Sequence, residues 1–154
     1  MSPRSLVGKS ILVTGASSGI GKATAKLLAA NGARLIVAAR SFDKLQSLAQ
    51  EIAAFPVACD VTSLDSVKKM VEAALRHSGK IDALFANAGI YLSGDVAEGL
   101  PTDWSQLIDV NVKGERRDEF RTCSVTSYVG TGKRGYSCLQ FDLRSPGDSL
   151  GTRV

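Results

Sequence analysis

Ile11-Leu12-Val13-Thr14-Gly15-Ala16-Ser17-Ser18-Gly19-Ile20-Gly21 passes from an apolar run through a glycine-rich turn into an amphipathic segment. Strand, turn and helix therefore follow one another within about ten residues. Gly15 and Gly19 are free to take backbone angles closed to residues with a Cβ, and Gly21 leaves room for a phosphate or a neighbouring strand. The helix that begins here turns its first N–H groups, which have no acceptor inside the helix, toward the place an anion would occupy. The glycine spacing alone is compatible with a merely tight turn. Its setting between a strand run and a helix makes Gly15, Ser17, Ser18, Gly19, Ile20 and Gly21 candidates for binding a nucleotide phosphate.

Outward from that turn the apolar pattern alternates between two periods. Ile20, Ala23, Leu27, Leu28 and Ala30 recur at helical spacing as far as Asn31-Gly32, a helix stop. Arg34-Leu35-Ile36-Val37-Ala38 has the unbroken apolar character of a parallel strand covered on both faces, and Leu45, Leu48 and Ile52 mark a second helix. Pro56-Val57-Ala58-Cys59 predicts a third strand ending at Asp60. Residues 64–77 predict a helix with Val67, Met70, Val71 and Ala74 inward, and residues 81–86 a fourth strand. A further helix over residues 102–112 carries Trp104, Leu107 and Ile108 on one face. Strands alternating with helices specify an α/β chain with a doubly wound parallel sheet.

Composition removes several function classes. The 154 residues, 44% of them apolar, are enough for one domain with a substantial core. No apolar stretch is long enough to span a membrane, and residues 1–9 carry Arg4 and Lys9 without the apolar run of a signal peptide, so a cytoplasmic location is expected. Three cysteines without paired spacing and a single histidine, His77, offer neither a disulfide framework nor a zinc ligand set, and no metal is expected. The net charge of +4 is spread along the chain without a basic block, which argues against a nucleic-acid surface.

Three more motifs fall at element ends: Asp60-Val61 after the third strand, Asn87-Ala88-Gly89 after the fourth, and Asn111-Val112-Lys113-Gly114 in the last helix. Together with Thr14-Gly-x-x-x-Gly-x-Gly21, and in this order, they resemble the short-chain dehydrogenase/reductase family over residues 7–114. Phe85-Ala86-Asn87-Ala88-Gly89-Ile90-Tyr91, with Gly94, Val96-Ala97-Glu98-Gly99 and Trp104, is similar to its ribitol dehydrogenase branch. The resemblance implies a Rossmann-type doubly wound sheet, N-terminal half only, with residues 1–114 as the NAD(P)-binding portion. It also implies hydride transfer between a nicotinamide dinucleotide and a hydroxyl or carbonyl of a small alcohol or polyol, in a family whose complete members are homo-oligomers. On the family pattern the Asp60 carboxylate accepts a hydrogen bond from the adenine amino group and Val61 packs on the ring. Asn87, Ala88 and Gly89 bring backbone to the nicotinamide ribose and tie the central strands together. A cap on the Thr62-Ser63 turn is the competing role for Asp60, and a plain strand-end turn that for residues 87–89.

Cofactor choice is read at the end of the second strand, where a carboxylate would bind the ribose 2′-hydroxyl and repel a 2′-phosphate. Ala38-Ala39-Arg40-Ser41 stands there instead. The missing carboxylate and the guanidinium of Arg40 favour NADP over NAD, with a solvated loop cation as the alternative role for Arg40.

The family's reaction uses a Tyr as acid/base, a Lys that lowers its pKa, a Ser that holds the substrate oxygen and an Asn that supports a proton relay. Asn111 matches the Asn. No Tyr-x-x-x-Lys occurs anywhere in the chain, and Tyr128 and Lys133 have Gly130 and Gly132 between them, too many glycines for a helix to present the pair. The texture also changes at Glu115: eighteen alanines precede it and none follows, and isoleucine is likewise absent from there on. Residues 115–154 are therefore expected to be an out-of-frame or disordered tail. A frame displaced by one nucleotide can encode, over residues 135–154, a strand followed by a Ser pair and a Tyr. The second Ser falls at the position of Phe141 and the Tyr at that of Val154, which is the family's separation. On that reading the fourth strand lacks its next neighbour and presents an open edge. A catalytically inactive dinucleotide-binding or interaction module, with the basic tail contacting a partner, is the alternative function.

Overall fold

The computed structural model describes residues 5–92 and 99–114 with their side chains, and the backbone of Tyr128–Thr131 and Tyr136–Leu139. Strand and helix alternate through β1 (Ser10–Thr14), α1 (Gly19–Ala30), β2 (Arg34–Ala39), α2 (Phe42–Ile52), β3 (Phe55–Ala58), α3 (Leu64–Ser78) and β4 (Ala83–Ala86). A helix α4 (Pro101–Ile108) then runs into a π-helical segment, Asp109–Gly114, and two strands come after it, β5 (Tyr128–Thr131) and β6 (Tyr136–Leu139). The sheet order is β3-β2-β1-β4-β5-β6, parallel from β3 to β5 and antiparallel between β5 and β6. The chain winds outward from β1 through β2 to β3, then returns to the other side of β1 as β4. That reversal opens a crevice at the carboxyl ends of β1 and β4.

Both faces of the sheet are covered, which is why β1 and β2 read as unbroken apolar runs. Ile11, Val13, Leu35 and Val37 pack with Leu45 and Leu48 of α2 and Ala25 of α1 on one face. Leu12, Ile36 and Leu84 pack with Val67, Met70, Val71 and Ala74 of α3 on the other, as the spacing of those four residues predicted. Pro56, which cannot donate to a ladder, sits in β3 at the edge of the sheet, paired on one side by β2. At the opposite, amino-terminal end of the sheet Asp82 accepts from the Ser10 N–H (2.8 Å) and meets Lys80 (2.9 Å), joining β1 to β4.

Three expectations need correction. Apolar spacing located α1 but not the face it seats: Gly21 and Ala25 are buried, whereas Ile20 is 60% and Leu27 64% exposed. The helix lies so close on β1 that only small residues fit beneath it, since a Cβ on Gly21 would strike the carbonyl oxygen of Gly15. The helix over residues 102–112 is not one continuous α-helix, and its expected inner face is not inner. Trp104 and Ile108 are exposed, and the buried residues are Val110 and Gly114 of the π-helical segment. Trp104 and Ile108 precede the π turn, so its wider pitch bears only on which later residues face inward. Finally, β4 is not an open edge. Leu84, Phe85 and Ala86 pair in parallel with residues 128–130, and β6 pairs with β5 in turn. Tyr128, Val129, Thr131 and Tyr136 are residue types that favour strands, and the unpaired ladder of β4 gives them a template. The rest of residues 115–154, including Ser124, Ser127, Lys133 and Phe141, lies outside the described residues.

Candidate functional site

A cleft of about 440 Å³ opens at the carboxyl ends of the parallel strands. Four connections converge on it: the glycine turn after β1, the β2–α2 junction with Arg40, Ser41 and Lys44, the β3 end with Cys59, Asp60 and Val61, and residues 87–90 after β4. The volume is that of a cofactor site.

The turn after β1 is built by its glycines. Gly15 has φ +65° and Gly19 φ +53°, a region that strains residues with a Cβ. The two differ in their surroundings. A Cβ on Gly15 would come within 2.8 Å of the Ala88 Cα, whereas a Cβ on Gly19 would meet nothing within 4 Å. Gly15 therefore holds the β1 and β4 loops together, while Gly19 borders the open cleft. That cradle fits a pyrophosphate: the α1 N-terminus faces it, and the Ser18 side chain makes no capping hydrogen bond with the helix.

The loop after β4 is stitched to β1 through Thr14. Its Oγ1 accepts from the backbone N–H of Asn87 (3.0 Å) and of Ala88 (3.2 Å), and the side chain is buried. The Asn87 amide donates to the carbonyls of Thr14 (3.4 Å) and Gly15 (3.5 Å). Asn111 fixes the other end of the loop, accepting from Ile90 N–H at Oδ1 (2.8 Å) and donating from Nδ2 to the Ile90 carbonyl (2.9 Å). Gly89 lies beside this clamp, a Cβ there falling 3.3 Å from the Asn111 Oδ1.

At the β3 end Asp60 Oδ1 accepts from both the backbone N–H (2.9 Å) and the hydroxyl (2.7 Å) of Thr62, so the local turn engages one of its oxygens while the residue also lines the cleft. Val61 is buried and sits against Gly114, where a Cβ would come within 2.8 Å of Val61 Cγ2. Burial pushes the Cys59 thiol up, the Ser66 side chain pulls it down, and the Asp60 charge adds to the rise. The net effect keeps a protonated thiol, which makes a poor nucleophile. Among the described residues no group of three or more His, Cys, Asp and Glu is placed to hold a metal ion, and no helix is long and apolar enough to cross a membrane.

The sequence model of the short chain dehydrogenases matches residues 9–116, from the start of β1 past the π-helical segment. The chain belongs to the short-chain dehydrogenase family. An uncharacterized oxidoreductase of Listeria monocytogenes is 47% identical over 111 residues, covering 69% of this chain and 45% of that protein. A 3-oxoacyl-(acyl-carrier-protein) reductase of Thermotoga maritima is 41% identical over 114 residues, covering 71% and 46%. Among solved structures, a 3-ketoacyl-(acyl-carrier-protein) reductase of Brucella melitensis complexed with NADH superposes with a TM-score of 0.69 at 39% identity, covering 71% of this chain and 47% of that one. The chain thus spans about half the length of the curated relatives it matches.

This short-chain dehydrogenase brings the residues singled out in sequence to one place: of the glycine turn, all but the buried Gly21 line the cleft, together with Arg40, Asp60, Val61, Asn87, Ala88 and Gly89. Asn111 stands behind it, reaching the site through Ile90. Thr14 and Ser41 stand within the motifs read from the sequence but were given no role there, and Lys44 was not singled out. Thr14 had a signal, a polar residue at the last position of an apolar strand run. Lys44 had a weaker one, four residues after Arg40 at the start of a helix.

Proposed function

We propose that the chain carries the cofactor half of an NADP-linked oxidoreductase acting on a small alcohol or polyol, in the manner of the ribitol dehydrogenase branch. The observation that carries the cofactor choice is Arg40 at the carboxyl end of β2. It lines the cleft, and among the described residues no carboxylate lies within ion-pair distance of it. A guanidinium there matches a ribose 2′-phosphate, and the acidic residue that would select NAD is missing.

When bound, the dinucleotide supplies the hydride chemistry at its nicotinamide ring. In this reading Gly15, Ser17, Ser18, Gly19, Ile20 and Gly21 hold the pyrophosphate on the α1 N-terminus, and Asp60 and Val61 receive the adenine. Asn87, Ala88 and Gly89 lie along the nicotinamide ribose, at a spacing kept by Thr14 on one side and Asn111 on the other. Asn111 serves a proton relay by fixing the backbone at Ile90, since both ends of its amide are committed there.

Residues 115–154 we read as an out-of-frame tail that does not supply the family's Ser, Tyr and Lys. The chain then binds a dinucleotide without turning over substrate, as an inactive binding module does. The setting is cytoplasmic, and the family's homo-oligomer belongs to its complete members. A second substrate class, a 3-oxoacyl thioester, is favoured by the names of the Thermotoga and Brucella reductases.

The test combines calorimetric titration of the purified chain with NADPH and NADH, polyol oxidation and 3-oxoacyl thioester reduction assays, and the coding DNA around residues 114–117. Tighter NADPH binding, no turnover and a displaced Ser-Ser and Tyr frame are expected. Tighter NADH binding overturns the cofactor choice. Turnover overturns the loss of catalysis, and codons without that frame remove the out-of-frame reading.

A further inference from the structure

We infer that Lys44 is a second determinant of dinucleotide choice, reaching the ribose 2′-phosphate from the first turn of α2 beside Arg40; the inference rests on the NADP reading above. Lys44 lines the same cleft as Arg40 and Ser41, although those two form the β2–α2 connection and Lys44 already belongs to the helix. Ser41 stands at the N-cap position just before α2, and its side chain makes no capping hydrogen bond there. Helical side chains lean toward the N-terminus of their helix, so a lysine in the first turn points back toward the end of β2. Leu45, Leu48 and Ala49 anchor the helix on the sheet. Lys44, one position before Leu45, is turned about 100° from that buried row and stays exposed at the rim of the cleft.

The charges around it sharpen the case. The described lysines and arginines that form ion pairs do so elsewhere, Lys26 with Glu51, Arg76 with Glu72, Lys9 and Lys80 with Asp82, and Lys113 with Asp109. Arg40 and Lys44 have no carboxylate within ion-pair distance among the described residues, and the adjacent Asp43 does not line the cleft. Arg40 and Lys44 put two like charges on one cleft, which the Asp60 carboxylate also lines from the β3 end without pairing with either. A 2′-phosphate would relieve that repulsion, the guanidinium meeting it along two oxygens and the ammonium as a point charge. A 2′-hydroxyl offers neither any gain.

The test uses isothermal titration calorimetry of the full chain with 2′,5′-ADP, which carries the phosphate, and 5′-AMP, which lacks it. The wild type, K44M, K44E and R40M are compared at low and at raised salt. Wild-type chain is expected to prefer 2′,5′-ADP. K44M should weaken 2′,5′-ADP about tenfold, leave 5′-AMP within about twofold, and flatten the salt dependence of 2′,5′-ADP binding. K44E should weaken 2′,5′-ADP further. If R40M removes the preference while K44M leaves 2′,5′-ADP within about twofold of wild type, the role of Lys44 is overturned and the NADP reading stands. If wild-type chain does not prefer 2′,5′-ADP, or binds neither nucleotide, both fall. A K44M loss equal for the two nucleotides also overturns the inference, since it would reflect a change in the helix rather than a lost phosphate contact.

Discussion

Replacing Thr14 with Val keeps the shape of a fully buried side chain and exchanges for a methyl group the Oγ1 that accepts from two backbone N–H groups at 3.0 and 3.2 Å. No cavity opens, so the cost is that of the orphaned donors. Each buried N–H left without an acceptor costs about 1–3 kcal/mol. Asn87 and Ala88 are only half-buried and part of that loss is recoverable from water, which sets the expected total at about 2–4 kcal/mol. Against a domain stability of about 5–15 kcal/mol that is a large fraction. The control is Thr14→Ser, which keeps the acceptor and gives up a methyl group worth about 1 kcal/mol. Urea unfolding of the full chain, followed by far-ultraviolet circular dichroism, should rank wild type above serine and serine above valine. Hydrogen exchange at Asn87 and Ala88 should accelerate in the valine variant. A valine variant within about 0.5 kcal/mol of wild type, or more stable than the serine variant, would refute the assignment of Thr14 as the stitch between β1 and β4.

The two positive-φ glycines of the turn should separate folding from binding. Gly15→Ala drives a methyl into the Ala88 backbone and is expected to unfold the chain or lower its melting temperature sharply. Gly19→Ala, in open space, should cost only about 1–2 kcal/mol of backbone strain yet weaken dinucleotide binding, as thermal melts and titrations will show. Burial raises the Asp82 carboxyl, but the hydrogen bonds from Lys80 and Ser10 and the charges of Lys80 and Lys9 outweigh it and leave the group below its ordinary value. A lowered folded value means stabilisation that is complete above the unfolded value of roughly 3.9 and is lost as the pH falls through the folded one. Asp82→Asn should therefore show a shallower acid-induced loss of stability in unfolding curves taken between about pH 6 and pH 3. Asn111→Ala removes both arms of the Ile90 clamp, and faster exchange at the Ile90 amide, with little change at Thr14 or Leu12, is the expected signature.

Much of this arrangement was legible in the sequence because the sheet is parallel and covered on both sides. Such strands announce themselves as unbroken apolar runs, and the helices between them must cross back over a face. Val67, Met70, Val71 and Ala74 were assigned correctly because α3 is regular from its Ser63 cap to its left-handed Gly79 stop. Apolar residue type alone misled at α4, where Trp104 and Ile108 stay exposed and the buried side chain is Val110, in the π-helical segment at residues 109–114. On α1 the seated positions are Gly21 and Ala25, and small residues carry almost no hydrophobic signal. The pairing of β5 onto β4 was missed because a short strand is specified by the ladder it joins as much as by its own composition.

The stitching of the glycine turn to residues 87–90 also constrains when the site can exist. Gly15 and the Asn87 amide that reaches its carbonyl are 72 positions apart in the chain, with three intervening strands and three helices to be placed before they can meet. Contacts of that separation close late, because the loop entropy must be overcome before they return any energy. A ligand filling the cleft can select only molecules that have completed the β1–β4 pairing, so it would raise the unfolding midpoint of the sheet as a whole in proportion to the logarithm of its concentration. The crevice is in that sense a checkpoint on the topology: a chain in which β4 has paired elsewhere does not form it.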